Sequence, residues 1–337
     1  MDDLAPHELR ILVAVERERG FTAAAASLGL TQSAVSHAVR ACERKLGVVL
    51  FHRGRYGARP TAAGTRTVAY ARRILRLMRS MRDEARDAGD EAVTGPLRIA
   101  AFRSVAAHLL PRALERLTGR HPGLAPRVSI VREIGRGTAG LVADGHADLG
   151  LATLDGAGPP KGLLSGKLFD EPYVLAHPRA GTQDPRTLPL IDWDENCGSY
   201  TRDWWARQDW IPPATILAED DTVVLSMVSQ GMGMSLMPAL ALTGAPADIA
   251  LTGLGPRPPT RGVGYVTTSE LAGTAAVREL IRELRSAAAS LTMPVPASDA
   301  GSPAAAGTAT AHRRTAERRP GTHRSTPARS PARPPRP

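Results

Sequence analysis

Phe21–Gly47, FTAAAASLGLTQSAVSHAVRACERKLG, is the stretch from which this chain is best read. At about 100° per residue, Val35, Val39, Cys42 and Leu46 fall within one narrow sector of a helix and form a stripe to be buried. Ser33, Ser36, His37, Arg40 and Arg44 are expected on the opposite, solvent-facing side. Thr31 is placed to cap this helix and Thr22 the one before it, with Gly29 and Leu30 as a tight connection. Two short helices around a Gly-containing turn make a helix-turn-helix. A first helix from about Pro6 to Arg19, with Leu9, Leu12 and Val13 inward, would close the core.

Helix pattern alone leaves an ordinary helical hairpin with a solvated face as an equal reading. The next segment shifts the balance. LFHRGRYGARPTAAG, Leu50–Gly64, reads as two short extended arms around Gly54 and Gly57, carrying Arg53, Arg55 and Arg59. Guanidinium groups on such a wing can pair with phosphate oxygens by charge-assisted bonds and fix a helix in a groove.

These residues resemble a known family. Phe21-Thr22, the alanines to Ser27-Leu28, Thr31-Gln32-Ser33-Ala34-Val35-Ser36, Glu43, Leu46-Gly47, Leu50-Phe51, Arg53 and Thr61-Ala62-Ala63-Gly64 are similar, in order, to the winged helix-turn-helix of LysR-type transcriptional regulators. Tyr56 and Pro60 depart from the pattern, standing where an arginine and a leucine are usual. The resemblance implies double-stranded DNA with a dyad-symmetric operator as a partner. It assigns Thr31, Gln32, Ser33, Ser36, His37 and Arg40 to the DNA-reading helix and Arg53, Arg55 and Arg59 to the wing. A dimer or dimer of dimers and contact with RNA polymerase are also implied.

Charge is distributed as a polyanion partner requires. Residues 1–90 hold 16 Lys or Arg against 10 Asp or Glu, and residues 301–337 hold 8 against 1, which leaves the middle of a chain of net charge +10 slightly acidic. The length of 337 residues suggests two domains. Two cysteines, Cys42 and Cys197, lie far apart in sequence, so no disulfide framework is indicated and a reducing compartment is expected. The N-terminus lacks the basic and apolar regions of a signal peptide, and no apolar run reaches the roughly 20 residues that span a bilayer, so a cytoplasmic protein without membrane contact is expected.

The expected organisation is a DNA-binding domain over residues 1–64, a linker helix over 65–89, a hinge over 90–95, an effector domain over 96–293 and a disordered basic tail over 294–337. In the linker helix Ala71, Ile74, Leu75, Met78, Met81 and Ala85 recur at helical spacing, a narrow stripe suited to a second copy of itself. In the resembling family this helix dimerises the DNA-binding domains; the alternative is a helix lying on the chain's own middle domain. The tail is poor in core-forming residues. It is either an extension without function or an arm adding salt-sensitive DNA affinity.

Beyond the hinge, short apolar runs alternate with helical patterns. LRIAAF, RVSIVRE and DLGLAT, then YVLAHP, GMSLMP and VGYVT, are separated by helices near 104–118, 139, 203–208, 222–230 and 270–289. The fold class is therefore α/β overall, with a mainly parallel sheet in two lobes around a cleft. It is similar to the effector domain of the same family, which shares the periplasmic-binding-protein fold and holds a small-molecule effector. Ligands in such sheets sit at strand carboxyl ends near helix N-termini. That rule, with the family's cleft segments, selects Ser104, Ser199, Thr201 and Thr222, with Tyr200 as a wall. Each could equally be an N-cap of its own helix. DWWARQDW, Asp203–Trp210, reads as lobe packing in preference to an aromatic floor. Cys197, without a second cysteine nearby, makes a weak redox sensor.

No nucleophile elbow, CxxC, phosphate loop or metal-ligand spacing of the nine histidines is present, so no catalytic residues, metal or cofactor are expected. Two other readings remain: a two-lobed enzyme carrying a DNA-binding head, and an architectural DNA-binding protein without effector.

Overall fold

The computed structural model describes residues 3–54, 57–87, 93–154, 158–195 and 199–296. The head is built from α1 (Pro6–Glu18), α2 (Phe21–Leu28), α3 (Gln32–Leu46) and a hairpin of β1 (Phe51–Gly54) and β2 (Gly57–Pro60). Its core is Leu12, Val15, Val35, Val39, Cys42 and Leu50, all fully buried. Burial pushes the Cys42 thiol up to about 11, so it is a packing group and not a nucleophile. Two helix-start expectations divide. Thr31 caps α3, accepting the Ala34 N–H at 3.2 Å, whereas α2 begins at Phe21 behind Gly20 and Thr22 lies inside its first turn. Gly29 ends α2 in the left-handed region at φ 66°, where a side chain would be strained.

A 26-residue helix, α4 (Ala62–Asp87), leaves the wing. Thr61 caps it, accepting the Gly64 N–H at 2.9 Å while donating to the Val49 carbonyl at 2.8 Å. From Thr65 to Asp87 it contains neither Gly nor Pro and is rich in Arg, Leu and Met, all strong helix formers. Val68, Ala71, Arg72 and Arg76 are buried, while Tyr70, Ile74 and Met81 are 64%, 43% and 63% exposed. Ala71 thus belongs to the buried face and not to the expected stripe, because its neighbours are α1 and the following domain. The exposed residues keep four- and seven-residue spacings and form the unpartnered seam.

The second domain runs through β3 (Gly95–Ala101), α5 (Arg103–His108), α6 (Leu110–Arg120), β4 (Leu124–Ile130), α7 (Gly137–Ala143) and β5 (Leu149–Leu154). It continues with β6 (Leu164–Pro178), β7 (Leu190–Trp193), α8 (Ser199–Trp205), β8 (Ala214–Ala218) and α9 (Asp221–Ser229). β9 (Ser235–Pro238), β10 (Ile249–Thr252), β11 (Thr260–Thr267), α10 (Ser269–Ala272) and α11 (Ala275–Ala289) complete it. The helix expected over 104–118 breaks at Leu109, since Pro111 cannot supply an interior N–H; that over 270–289 breaks at Gly273.

The main sheet runs β10-β6-β11-β5-β3-β4, with β9 also on β6. It is mixed, not mainly parallel: β3 pairs in parallel with β4 and β5, but β11 is antiparallel to β5 and β6, and β6 to β9 and β10. The physical reason lies in β6, a 15-residue strand that pairs with β11 through its first half and with β9 through its second. One strand therefore belongs to both lobes, and the chain returns antiparallel along its first half as β11 only after it has built lobe two. Lobe one packs Ile99, Val105, Leu117, Leu151, Leu280 and Leu284; lobe two packs Val174, Ile191, Val224 and Met237.

Candidate functional site

The first candidate site is the outer face of α3. Thr31, Gln32, Ser33, His37, Arg40 and Arg44 are exposed along it. Ser36 is the exception and corrects the sequence reading: it is buried, at 7% exposure. On the helical wheel it lies about 60° from Val39 but about 100° from His37, so it sits on the shoulder of the apolar stripe. Leu46, expected in the stripe, is 41% exposed, because the core ends with the turn before it.

Sequence reasoning missed what holds this face in place. The Glu43 carboxylate, one turn from the end of α3, accepts the Leu50 N–H at 2.8 Å and the Phe51 N–H at 3.2 Å, tying the recognition helix to the wing. Lys45 donates to both Glu8 oxygens, at 3.0 and 2.9 Å, and locks α3 to α1. The Ala58 N–H donates at 2.9 Å to the Arg19 carbonyl, seating β2 on the α1–α2 corner. In the wing register Arg53 faces Ala58 and His52 faces Arg59, and the Arg59 side chain is exposed. Arg55 and the side chain of Arg53 lie outside the described residues. The signal for Glu43 was a buriable acid between two apolar stripe positions, legible only with the wing folded back on it.

The second candidate site is a cleft of about 890 Å³ on the α7, β5 and β11 side of lobe one, where Thr201 is contributed by lobe two, a size suited to a small molecule. Glu133, Thr153, Thr201 and Arg261 line it. Thr201 is buried at its wall. Ser104 is reached through Arg261, whose Nη2 donates to Ser104 Oγ at 3.4 Å. Thr222 is exposed, 3.5 Å from the Arg103 guanidinium, and its N–H is taken by the true cap of α9, Asp220. The five effector residues are thus not one constellation: Thr201 lines the cleft, Ser104 lies behind its Arg261, and Thr222 is beside Arg103 and not in the lining. Ser199 and Tyr200 open α8, but their side chains lie outside the described residues, as does Cys197. Trp205 is buried among Tyr173, Leu175, Leu190 and Met234, and neither it nor Trp204 lines the cleft.

Charged residues that the sequence reading did not select define the electrostatics. Burial pushes the Glu133 carboxyl above the usual range, opposed by the Thr138 and Thr153 N–H groups at 2.9 and 3.2 Å. The Arg261 Nε donates to fully buried Glu171 at 2.7 Å, and its guanidinium stacks 4.9 Å from the Phe102 ring centre. Two bridges join segments of the two lobes. Arg103 pairs with Asp221 and, at 3.2 Å, with Asp220, and the Glu133 N–H donates to Glu195 at 2.6 Å. Burial works against the Arg103 charge, but the two aspartates outweigh it and raise its pKa.

Contacts also run from lobe one to the linker helix. Arg76 donates to the Ala147 carbonyl at 2.9 Å and lies 3.8 Å from Asp148, and Arg73 pairs with Glu270. One face of α4 therefore does lie on the chain's own second domain, while the other keeps its exposed seam. Among the described residues no helix is long and apolar enough to cross a membrane.

Comparison with known proteins gives a family match to each of the two segments that carry these candidate sites. Residues 6–65 match the bacterial regulatory helix-turn-helix of the lysR family, and residues 90–289 match the LysR substrate binding domain. A probable HTH-type transcriptional regulator, LrrA, of Synechococcus elongatus is 37% identical over 76% of this chain and 88% of its own length. In fold, the chain is similar to a full-length OxyR variant from Pseudomonas aeruginosa, with a TM-score of 0.68 at 24% identity over 88% of this chain and all of that one. It is also similar to full-length CbnR complexed with its target DNA, with a TM-score of 0.59 at 21% identity over 84% of this chain and all of that one.

Proposed function

The chain belongs to the LysR family of bacterial transcriptional regulators, and from that premise we propose how its residues read DNA and answer a small-molecule effector. A homodimer, or a tetramer of two such dimers, joins through the seam of Tyr70, Ile74 and Met81. It presents two copies of α3 to half-sites about one DNA turn, roughly 34 Å, apart. Gln32, Ser33, His37 and Arg40 face base edges, and Arg59 faces phosphate. Ser36 supports the helix from its buried shoulder. The observation that carries this reading is the exposed polar face of α3, clamped to the wing by Glu43.

The effector enters between Arg261, Glu133 and Thr201. There it competes with the Arg103–Asp221 and Glu133–Glu195 bridges and so changes how the lobes meet. β5 and β11 run from that cleft, at Thr153 and Arg261, to the α4 contact, at Asp148 and Glu270, and are the shortest covalent route for the change. The protein acts in the cytoplasm as a regulator without catalysis of its own. The relatives' names as regulators support that over an enzyme with a DNA-binding head, and a built cleft supports it over an architectural protein.

Selection of bound sequences from a random DNA pool tests the first half. An enriched dyad-symmetric motif is expected, and unenriched DNA from folded dimer would remove α3 as a base reader. With that motif as probe, Arg40→Ala is expected to cost about 1–3 kcal/mol on operator and much less on random DNA. Arg59→Ala is expected to weaken both and flatten the salt dependence. Equal losses for Arg40→Ala on the two DNAs in a binding titration would place Arg40 among the phosphate contacts.

A further inference from the structure

Away from both sites, a cavity of about 500 Å³ lies where α1, α4 and the edge of lobe one meet. Two helix stripes converge on it. Arg10, Val13 and Arg17 recur at three- and four-residue spacing on α1, and Arg72, Leu75, Arg79 and Arg82 do so on α4. Each stripe lines one face of its helix. The third wall is Arg98 on β3 and Arg127 on β4, which stand directly opposite each other in the strand register, with His146 beside them. No carboxylate lines the cavity.

Carboxylates outside its lining pair with some of these cations. Glu16 holds Arg72, Glu18 holds Arg17 at 2.7 Å, and Asp148 holds Arg98 at 2.8 Å. Arg10, Arg82 and Arg127 have no acidic partner among the described residues, although each borders the same space. Like charges facing across neighbouring strands repel, and so many guanidinium groups around one concavity focus a positive field within it. Arg72 and Arg98 help to hold the fold through Glu16 and Asp148, but Arg10, Arg82 and Arg127 do not: α1 and α4 already pack through Leu12, Val15, Val68 and Ala71.

We propose that this cavity binds a small multivalent phosphate-bearing anion, with its phosphates on the arginines and any flat apolar portion against Val13 and Leu75. Arginine's planar fork suits phosphate oxygens in pairs, and the volume suits a molecule of nucleotide size. The occupant is a small anion and not the DNA backbone, because no residue of α3 or of the wing borders the cavity. Bound there, it ties the head and linker helix to lobe one, independently of any effector in the cleft.

The test titrates the full-length protein by calorimetry in 0.15 M NaCl with two probes, inorganic tripolyphosphate and ATP. Saturable binding of about one molecule per protomer is expected for both. The exposed pair Arg10→Glu with Arg127→Glu should lower affinity at least tenfold, and Arg82→Glu, on a different wall, should lower it severalfold. All should leave operator binding, measured without the anion, within about twofold of wild type. Absence of saturable binding to the wild type would overturn the proposal. So would an affinity unchanged by the reversals, or one lost equally on Arg103→Ala, which would put the anion in the effector cleft. Loss of DNA affinity in the charge-reversed variants without anion binding by the wild type would give the patch to DNA instead.

Discussion

Gly64→Ala is expected to lower operator affinity tenfold or more and to bring the unfolding midpoint of the head down on the order of 10 °C, although the substitution adds a methyl group to a helix that favours alanine. Helix propensity alone would stabilise by about 0.5–1 kcal/mol. Packing decides otherwise. A Cβ at position 64 would overlap the Leu50 carbonyl oxygen and lie 2.9 Å from its carbon. That carbonyl already accepts the Thr61 N–H at 2.9 Å. Leu50 cannot retreat, since its side chain is fully buried and its N–H is held by Glu43. Relief must come from displacing α4 from the wing, which gives up the Thr61 cap, worth about 1 kcal/mol, and adds overpacking strain of about 1–3 kcal/mol. A unit of some 60 residues is marginal to begin with, and each kcal/mol moves its midpoint by about 4–8 °C. Thermal unfolding followed by circular dichroism, with operator titration alongside, checks this. An unchanged first transition together with unchanged affinity would show that the wing–linker junction is not tight.

The second large effect lies where the lobes join. Glu171→Ala is expected to destabilise the effector domain by about 3–5 kcal/mol, because it strands the Arg261 charge in a buried place. Glu171 is fully buried and the Arg261 side chain only 10% exposed. The two face each other across β6 and β11. The other Glu171 oxygen accepts the Leu240 N–H at 2.7 Å, so one carboxylate holds β6, β11 and the segment after β9 together. Removing both charges at once is a different matter: Glu171→Met combined with Arg261→Met is expected to recover more than half of the loss, since a buried ion pair contributes little beyond a well-packed apolar one. Urea unfolding of the two variants distinguishes the cases. A double variant as unstable as the single one would mean that the bond to Leu240, not the stranded charge, carries the effect. The double variant should also lose effector response while keeping DNA affinity, because Arg261 lines the cleft.

The head is legible in sequence for a simple reason: its contacts are local. Thr31, Gly29, Thr61 and the stripe of Val35, Val39 and Cys42 act within a few residues of themselves, and period and capping chemistry survive in a linear text. Ser36 escapes that reading because it sits at the edge of a sector, where one face passes into another. Glu43, seven and eight residues from the amides it binds, cannot be read that way either. In the second domain the short apolar runs do mark strands, but not their partners. β6 shows itself only as YVLAHP, its buried second half, since its first half runs LSGKLFD with mixed exposure and carries no clean alternation.

Local propensity and hydrophobic period are encoded residue by residue, and they suffice to specify a winged helix-turn-helix on a long helix followed by an α/β domain. They do not reveal that β6 serves both lobes, that Glu171 and Arg261 face each other over 90 residues of chain, or that Arg10, Arg82 and Arg127 border one cavity. Those groups meet through pairings distant in sequence, and the charge that makes them consequential depends on the burial and proximity that only the folded chain supplies.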